Sequence, residues 1–517
     1  MKKILYPLIL TMFCLILVFS VISVTAEAPV TITILHTNDI HGRAEAGDGM
    51  GLPKMAALVK RIKTENPRTL LLDAGDTIHG KTFTNLAKGE SMIKLMNAMG
   101  YAAMTPGNHD FNYGYQRLVT LDDQVADFPI LCANIKKDGE FLFTPYITKE
   151  VGGKQIAVFG LATPETLYKS HPTNTKGLEF INPNTAAGDM VKAVSGQADF
   201  IIALAHLGLE TGSEFTSERL AREVPGINLI VDGHSHTLLP AGKMVGSTLI
   251  VQTQEHTKYL GRVDLTFTSA GVEMKASLIS AAEAAGIDED QEIVRLIVTE
   301  KANQGAILET VIGETSVRLI GERQSVRTGE TNLGNLITDA MRALSGAEIA
   351  LTNGGGIRAF IEAGEITIEN VLEVLPFGNT VVVKEMKGSD LISCLEHGVS
   401  LYPEPSGSFP QVSGLSFTID PTKPAGERIS AVQVSGNPLL PDEIYTVATN
   451  DFMAAGGDGY TWFAPAKNVG ELGGLDEVLI EYLQSKDVIA PEVEERIRVV
   501  YTYATQALES KQTAACF

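Results

Sequence analysis

From residue 31 to about residue 268 the chain repeats one grammar: a short apolar run rich in β-branched residues, then a polar or glycine-rich turn. The runs lie at 31–35, 69–72, 129–131, 155–159, 200–205, 227–231 and 248–251. Apolar runs this short, bounded by turn residues, predict buried strands, because a helix needs a longer stretch with a stripe of period 3.6. Helical patterns fall between several of them, at 55–63 and 91–99, so the expected class is α/β. In such sheets the carboxyl ends of the strands line the ligand crevice. Whatever stands in the turns after the runs is therefore brought together.

Those turns carry metal-ligand chemistry. The first run leads to Asn38-Asp39-Ile40-His41 and the second to Asp73-Ala74-Gly75-Asp76. Met104 leads to Gly107-Asn108-His109-Asp110, the 200–205 run to His206, and the 227–231 run to Gly233-His234-Ser235-His236. A single His after a strand is more often structural than a ligand, but five of the ten His fall in these turns beside Asp and Asn, which reverses that expectation. Imidazole nitrogen with carboxylate and amide oxygen, and no thiolate, suits Zn, Mn, Fe or Co better than Ca or a purely structural zinc. A carboxylate such as Asp76 can give one oxygen to each of two ions. A pair of ions so bridged clamps a phosphoryl group and generates hydroxide at neutral pH.

The rest of the chain supplies a second unit. An acidic start at Asp288-Glu289-Asp290, followed by apolar residues at helical spacing, predicts a linker helix within 284–310. Beyond it an amphipathic helix at 332–344 and strand-like runs at 348–351, 381–384, 414–419 and 445–449 predict an α+β domain over 311–503, with 504–517 as a tail. At the other end Lys2 and Lys3 precede an apolar stretch, 4–24, that closes on Val24-Thr25-Ala26. This pattern predicts a cleaved signal peptide, residues 1–26, and export to a periplasm or the medium with no stable membrane anchor afterwards. Loss of the signal removes Cys14 and leaves Cys132, Cys394 and Cys516, enough for one disulfide at most. The formal net charge of -21 argues against a broad grip on nucleic acid, so an anionic substrate must be held by metals or a few Arg.

Taken in order, Asp39-x-His41, Gly75-Asp76, Gly107-Asn108-His109-Asp110, Ala205-His206 and Gly233-His234-Ser235-His236 resemble the calcineurin-like metallophosphoesterase signature. The resemblance implies a four-layer αββα sandwich over 27–283 holding two divalent ions, Zn, Mn, Co or Fe. It makes Asp39, His41, Asp76 and His236 the ligands of one ion, and Asp76, Asn108, His206 and His234 those of the other. His109 then faces the scissile phosphate, to steady transition-state charge or to protonate the leaving oxygen, while metal-activated hydroxide attacks phosphorus.

The second half resembles the substrate domain of the 5'-nucleotidase family, which includes animal ecto-5'-nucleotidases and bacterial periplasmic UDP-sugar hydrolases. The matching residues are Arg327, Asn332-Leu333-Gly334-Asn335, Asn353-Gly354-Gly355-Gly356-Ile357-Arg358, Leu375-Pro376-Phe377-Gly378-Asn379 and Asp451-Phe452 through Gly456-Gly457-Asp458-Gly459. By this resemblance Phe377 and Phe452 sandwich the nucleobase and Asp458 accepts from ribose hydroxyls. Asn353 and Asn379 touch base or sugar, and Arg327 and Arg358 meet the anionic side. The chemistry agrees, since aromatic faces stack on any base and guanidinium forks suit phosphate oxygens. The reaction implied is hydrolysis of nucleoside 5'-monophosphates, with diphosphates or UDP-sugars as further substrates.

One position departs from that pattern. Many members carry Asp three residues after the catalytic His, whereas this chain has His109-Asp110-Phe111-Asn112. Asn112 is expected to orient the imidazole through its carbonyl without adding charge, so the imidazolium is less favoured. The same variant occurs in relatives that open 2',3'-cyclic nucleotides and act on 3'-phosphates, which is the alternative activity. A decoy overlaps the metal turns: residues 75–82 fit the phosphate-loop pattern G-x-x-x-x-G-K-[ST] after a strand, and the two readings compete for Asp76. His36, His79, His171, His256 and His397 lack a partner pattern and are expected at the surface or behind the ligands, with His256 a candidate to border the metals. Met92, Met96 and Met99 are expected to form a helix face.

Overall fold

The computed structural model describes residues 29–47, 49–170, 172–210 and 213–501; the expected signal peptide, 1–26, His171 and Cys516 lie outside them. Two sheets pack face to face in the N-terminal half. The first has five strands, ordered Gly271–Ser280, Tyr259–Thr268, Val30–Thr37, Thr69–Asp73 and Ala103–Met104. The second has six, ordered Lys243–Val245, Thr248–Val251, Leu229–Val231, Phe200–His206, Lys154–Ala162 and Tyr146–Val151.

Alternation along each strand builds the layers. Ile32, Ile34, Leu70 and Leu72 meet Ile202, Leu204, Leu229 and Val231 between the sheets. Leu35 and Leu71 point outward under the helices Gly51–Glu65 and Glu90–Met99, where Met92, Met96 and Met99 form the expected buried face. On the far side Ala187 and Met190 of helix Pro183–Val194 cover the second sheet. The order helix, sheet, sheet, helix is the four-layer sandwich. Strands buried on both faces read as unbroken apolar runs, which is why the sequence showed them plainly.

Two differences from the sequence reading have local causes. The 129–131 run forms only isolated bridges, Met104 with Ile130 and Leu131 with Thr144, because it opens on a proline that cannot donate to a ladder. The hairpin Tyr259–Thr268 and Gly271–Ser280 lies within 27–283 but is absent from the expected runs; its solvent-facing positions dilute the apolar signal. Val30–Thr37 pairs in parallel with Thr69–Asp73, and Phe200–His206 in parallel with Leu229–Val231. The carboxyl ends of these strands consequently share one rim of the sandwich.

The linker helix is shorter than expected and is not a free connector. It spans Gln291–Leu308, and its Asp290 cap accepts from the backbone N–H of Glu292 (3.0 Å) and Ile293 (3.2 Å). Residues 284–290 form turns instead, since the acidic triplet serves as cap rather than first turn. Ile293 and Ile297 are buried in the outer layer of the first domain, and Gln304 donates to the Phe83 carbonyl at 2.7 Å. Residues 309–310 then lead into strand Val311–Thr315.

The C-terminal half is built on a five-stranded sheet ordered Pro410–Ser413, Ile349–Asn353, Ile444–Asn450, Thr380–Lys387 and Lys467–Gly474. Helices Asn332–Ser345 and Leu475–Gln484 pack Leu336, Ile337 and Leu479 on one face; Leu391 and Leu395 of helix Gly388–Gly398 pack on the other. Asn353, Asn450 and Thr380 come to one edge of this sheet, the edge nearest the first domain's rim. Cys132 and Cys394 are free thiols, each buried in its own domain, and do not pair with one another.

Candidate active site

At the rim of the sandwich Asp39, His41 and His236 converge, as do His41, Asp76 and His109, and Asp76, His206 and His234; within each group the ligand atoms lie within 4.8 Å of one another. The groups overlap at His41 and Asp76, so they form one continuous cluster. His41 Nε2 is 3.1 Å from His236 Nε2, and His206 Nε2 is 3.2 Å from Asp76 Oδ2. Asp39, His41, Asp76, His234 and His236 all have φ between 50° and 78°. A side chain held in this left-handed region costs about 1–2 kcal/mol each, so the turns store strain where the ligands stand.

The donor set fits cations on two observations. His206 Nδ1 faces the Ala74 carbonyl at 2.6 Å and must donate to it, which turns Nε2 toward the carboxylates of Asp76 and Asp39 with no hydrogen-bond partner. A lone pair facing two carboxylates is repulsive unless a proton or metal ion sits between them. The field there is strongly negative: burial opposes a charge on His206, yet Asp76 and Asp39 push its pKa up to about 10, and Asp39 with Glu255 does the same for His236. Asn108 Oδ1 is the second orphan, buried without a partner beside the same cluster. Burial alone raises Asp76, but the imidazoles of His206, His109 and His41 hold its carboxylate well below the usual range.

Buried carboxylates brace the turns from behind. Asp110 accepts from the backbone N–H of Asp76 (2.8 Å), Thr77 (3.0 Å), Ile78 (3.0 Å) and Gly107 (2.8 Å). This argues against the phosphate-loop reading, because three amides of the 75–82 segment are already bonded to Asp110 and that of Gly80 to Asn85 Oδ1 at 2.9 Å. Asp232 accepts from Leu207 and Gly208, both at 3.1 Å, behind His206. Two glycines are required by contact: a Cβ on Gly107 would lie 2.2 Å from Asp76 Oδ1, and one on Gly233 would lie 2.8 Å from His206 Nδ1.

His109 is paired with Asn112 as expected, though not by the expected atom. The amide nitrogen, not the carbonyl, lies 3.2 Å from His109 Nδ1. The carbonyl is occupied by the Ser170 hydroxyl at 3.3 Å, which itself accepts from Asn174 at 3.1 Å. Burial lowers the His109 pKa, against the pull of Asp76 and Glu471.

His256 borders the cluster, the place the sequence offers for it: its backbone N–H donates to the Asp39 carbonyl (2.9 Å), and its ring centroid is 5.6 Å from that of His41. Other neighbours carry no such expectation. His79 is buried and stacks on His109 with centroids 6.0 Å apart. Glu165 and Lys169 reach His234 Nε2 at 3.1 Å and 3.2 Å, and Glu471 of the second domain lies 3.7 Å from His109 Nε2. None has a spacing signature; proximity in the fold is the only signal.

The predicted substrate residues gather at the edge of the second sheet. Asn353 donates to Asp458 at 2.7 Å and accepts from Asn450 at 3.0 Å, while Asp458 adopts φ 51°. The Arg358 guanidinium sits 5.6 Å from the Phe377 ring centroid. Burial and the positive charges of Arg323 and Arg358 lower Arg327, whose buried Nε has no partner. Phe377 and Phe452 are 47% and 45% exposed, unusual for aromatic side chains unless they await a ligand. His397 holds the Asp458 carbonyl at 2.7 Å. For Asn379 the backbone carbonyl is engaged, accepting from Leu475 at 2.7 Å. The two sites meet where Lys81 donates to the Phe377 carbonyl at 3.0 Å.

Comparison with known proteins agrees with this division. The family model for calcineurin-like phosphoesterases matches residues 32–238, and that for the 5'-nucleotidase C-terminal domain matches 311–465. The 5'-nucleotidase of Bos taurus is 32% identical over 92% of this chain and 92% of its own. This chain belongs to the 5'-nucleotidase family. It is a hydrolase of the metallophosphoesterase class, and its family relatives extend into solved structures. The 5'-nucleotidase precursor from Thermus thermophilus is 33% identical, covers 92% of this chain and 100% of its own, and superposes with a TM-score of 0.55. The trifunctional nucleotide phosphoesterase protein YfkN of Bacillus subtilis (strain 168) is 35% identical over 91% of this chain, which spans only 35% of that longer protein.

Proposed function

We propose that the protein is an exported 5'-nucleotidase that releases phosphate from nucleoside 5'-monophosphates. The observation that carries this reading is the cluster sharing His41 and Asp76 at the rim, in a family whose second domain offers half-exposed Phe377 and Phe452. Asp39, His41, Asp76 and His236 would hold one divalent ion, and Asp76, Asn108, His206 and His234 a second. Such ions supply Lewis acidity toward phosphoryl oxygens and a nucleophilic hydroxide at neutral pH. The chain's own residues do the remainder. Arg327 and Arg358 neutralise the anionic side of the substrate, and Phe377 and Phe452 stack on the base. Asp458 accepts from ribose hydroxyls while Asn353 orients it, and His109 donates a hydrogen bond toward the phosphoryl group. Because Gln291–Leu308 is fixed to the first domain, residues 309–310 are where rotation between the domains would exchange product for substrate.

The test is phosphate release by metal-reconstituted protein lacking residues 1–26, on 5'-AMP, 3'-AMP, 2',3'-cyclic AMP, ADP and UDP-glucose. Dominant activity on 5'-AMP is expected. Asn112 favours a second reading, a 2',3'-cyclic phosphodiesterase and 3'-nucleotidase, and similarity to a trifunctional nucleotide phosphoesterase is consistent with it. Dominant cyclic or 3' activity in the same panel would select that reading.

A further inference from the structure

The turn that bears Phe377 is fastened to the first domain as well as to its own. Its ends are anchored at home: the Leu375 N–H donates to the Val371 carbonyl at 2.9 Å, and the Asn379 carbonyl accepts from Leu475 at 2.7 Å. Between them Pro376 and Phe377 form an exposed turn, and the middle of this turn meets the first domain. Lys81 Nζ donates to the Phe377 carbonyl at 3.0 Å. A Cβ on Gly378, which stands at φ 63°, would lie 2.8 Å from the Gly80 carbonyl oxygen, so here two backbones touch with no side chain between them. The receiving segment is itself held. Gly80 N–H donates to Asn85 Oδ1 at 2.9 Å, and the Lys81 carbonyl accepts from the N–H groups of Thr84 and Asn85, both at 2.8 Å. Behind it, a Cβ on Gly80 would lie 2.5 Å from the carbonyl oxygen of His41. His41 belongs to the cluster at the rim, so backbone contacts run from that cluster to Phe377.

We propose that Lys81 is a positioning residue for the base platform, holding the 376–378 turn so that the Phe377 ring stands where it stacks on a base. Resting on the nucleotidase reading above, this brings a residue of the first domain into recognition of the base. An exposed aromatic on a turn fixed only at its ends must be ordered when a ligand arrives, and that ordering is taken from affinity. An ammonium bonded to the backbone of the same residue removes part of the cost beforehand. Arg358, whose guanidinium sits 5.6 Å from the ring centroid, steadies the ring from within its own domain, and Lys81 steadies the backbone that bears it. The Gly80-Lys81 pair of the phosphate-loop pattern thereby has a use: its lysine turns to a carbonyl of the other domain instead of to a phosphate. Because the bond crosses the domain boundary, base recognition is complete only in the docked arrangement.

The experiment uses metal-reconstituted protein lacking residues 1–26, as wild type, Lys81→Met, Lys81→Arg, Phe377→Ala and the Lys81→Met/Phe377→Ala double variant. It reads the equilibrium affinity for adenosine and, separately, for inorganic phosphate. Adenosine affinity is expected to fall about fivefold in Lys81→Met, the size of one hydrogen bond made at the surface. Phosphate affinity stays at the wild-type value, which also shows that the variant is folded. Lys81→Arg keeps a charged donor and restores most of the adenosine affinity. Phe377→Ala loses roughly tenfold, and the double variant loses no more than Phe377→Ala alone, since Lys81 then has no ring to place. On 5'-AMP the loss in Lys81→Met appears in KM with kcat unchanged, because stacking is made alike in the ground and transition states. Adenosine affinity unaltered in Lys81→Met, losses that multiply in the double variant, or a wild type that binds no adenosine overturns the proposal. So does an equal fall in phosphate affinity, which would put Lys81 on the anion. Absence of phosphate release from every nucleotide overturns the nucleotidase reading instead, and the adenosine measurement still decides this one.

Discussion

The two halves of the site are built on opposite plans. At the proposed metal rim Asp39, Asp76, Asn108 and His206 have at most 2% of their surface exposed, while His41 and His236 are partly open; Asp39 and Asp76 stand at positive φ, and Asp110 and Asp232 brace the turns. At the proposed base site Phe377 and Phe452 stand nearly half exposed beside a sheet edge. The difference follows from what each must do. Charge that develops in a reaction is best met by groups already fixed in place, since reorganisation costs rate. A base must enter and leave, so its platform stays open and gains its burial from the ligand. Variants at the rim should therefore strike turnover and folding, and variants at the edge should strike affinity.

The sharpest break in that contrast is Asp76→Asn. It removes the one carboxylate that the proposed assignment shares between both ions, and leaves His206 Nε2 without the nearer of its two counter-charges. Phosphate release is expected to fall at least about a thousandfold, with loss of bound metal by elemental analysis. Retention of full metal content and rate would end the two-ion assignment. Asp110→Asn comes next and separates bracing from ligation. Four backbone N–H groups bond to this carboxylate, and an amide cannot accept from all of them, so at least one buried donor is orphaned. The expected cost is about 1–3 kcal/mol per orphan, read as a lower midpoint in denaturant, with activity falling as metal affinity falls.

The edge should respond differently. Phe452→Ala removes one stacking face, worth about 1–3 kcal/mol, so KM for 5'-AMP should rise roughly tenfold or more with kcat changed little. Equal loss in kcat would mean that Phe452 aligns the phosphate and that the contrast between the halves is too simple.

The same contrast explains what could be read in advance. Strands buried on both faces, such as Phe200–His206, announce themselves as apolar runs, and the polar residues ending them could be assigned to one rim because parallel strands share their carboxyl ends. Tyr259–Thr268 escapes such a reading because solvent on one face admits polar residues into its pattern. His79, Glu165, Lys169 and Glu471 owe their places to the docking of loops and of the second domain, and no local spacing encodes that. Asp110 stands in a turn already singled out, yet its role depends on backbone amides that any residue type supplies. The orientation of Asn112 differs from expectation because Ser170 and Asn174, which fix it, lie about sixty residues along the chain.

The smallest expected effect is at Asn112, where the rim itself departs from the commonest family pattern. Burial now keeps the His109 pKa below its ordinary value, and the neighbouring amide adds no charge to oppose that. Asn112→Asp places a carboxylate about 3 Å from Nδ1, which stabilises the cation and raises the pKa. If neutral His109 is the working form, activity is lost as pH falls through that pKa, so the acidic limb of the pH profile for kcat/KM should move upward. The shift expected from one partly shielded charge is about one pH unit, with the alkaline limb unmoved. An unchanged acidic limb would remove the His109 and Asn112 pair from the mechanism. A limb that moves down would mean that the cation is the working form and that His109 acts as an acid after all.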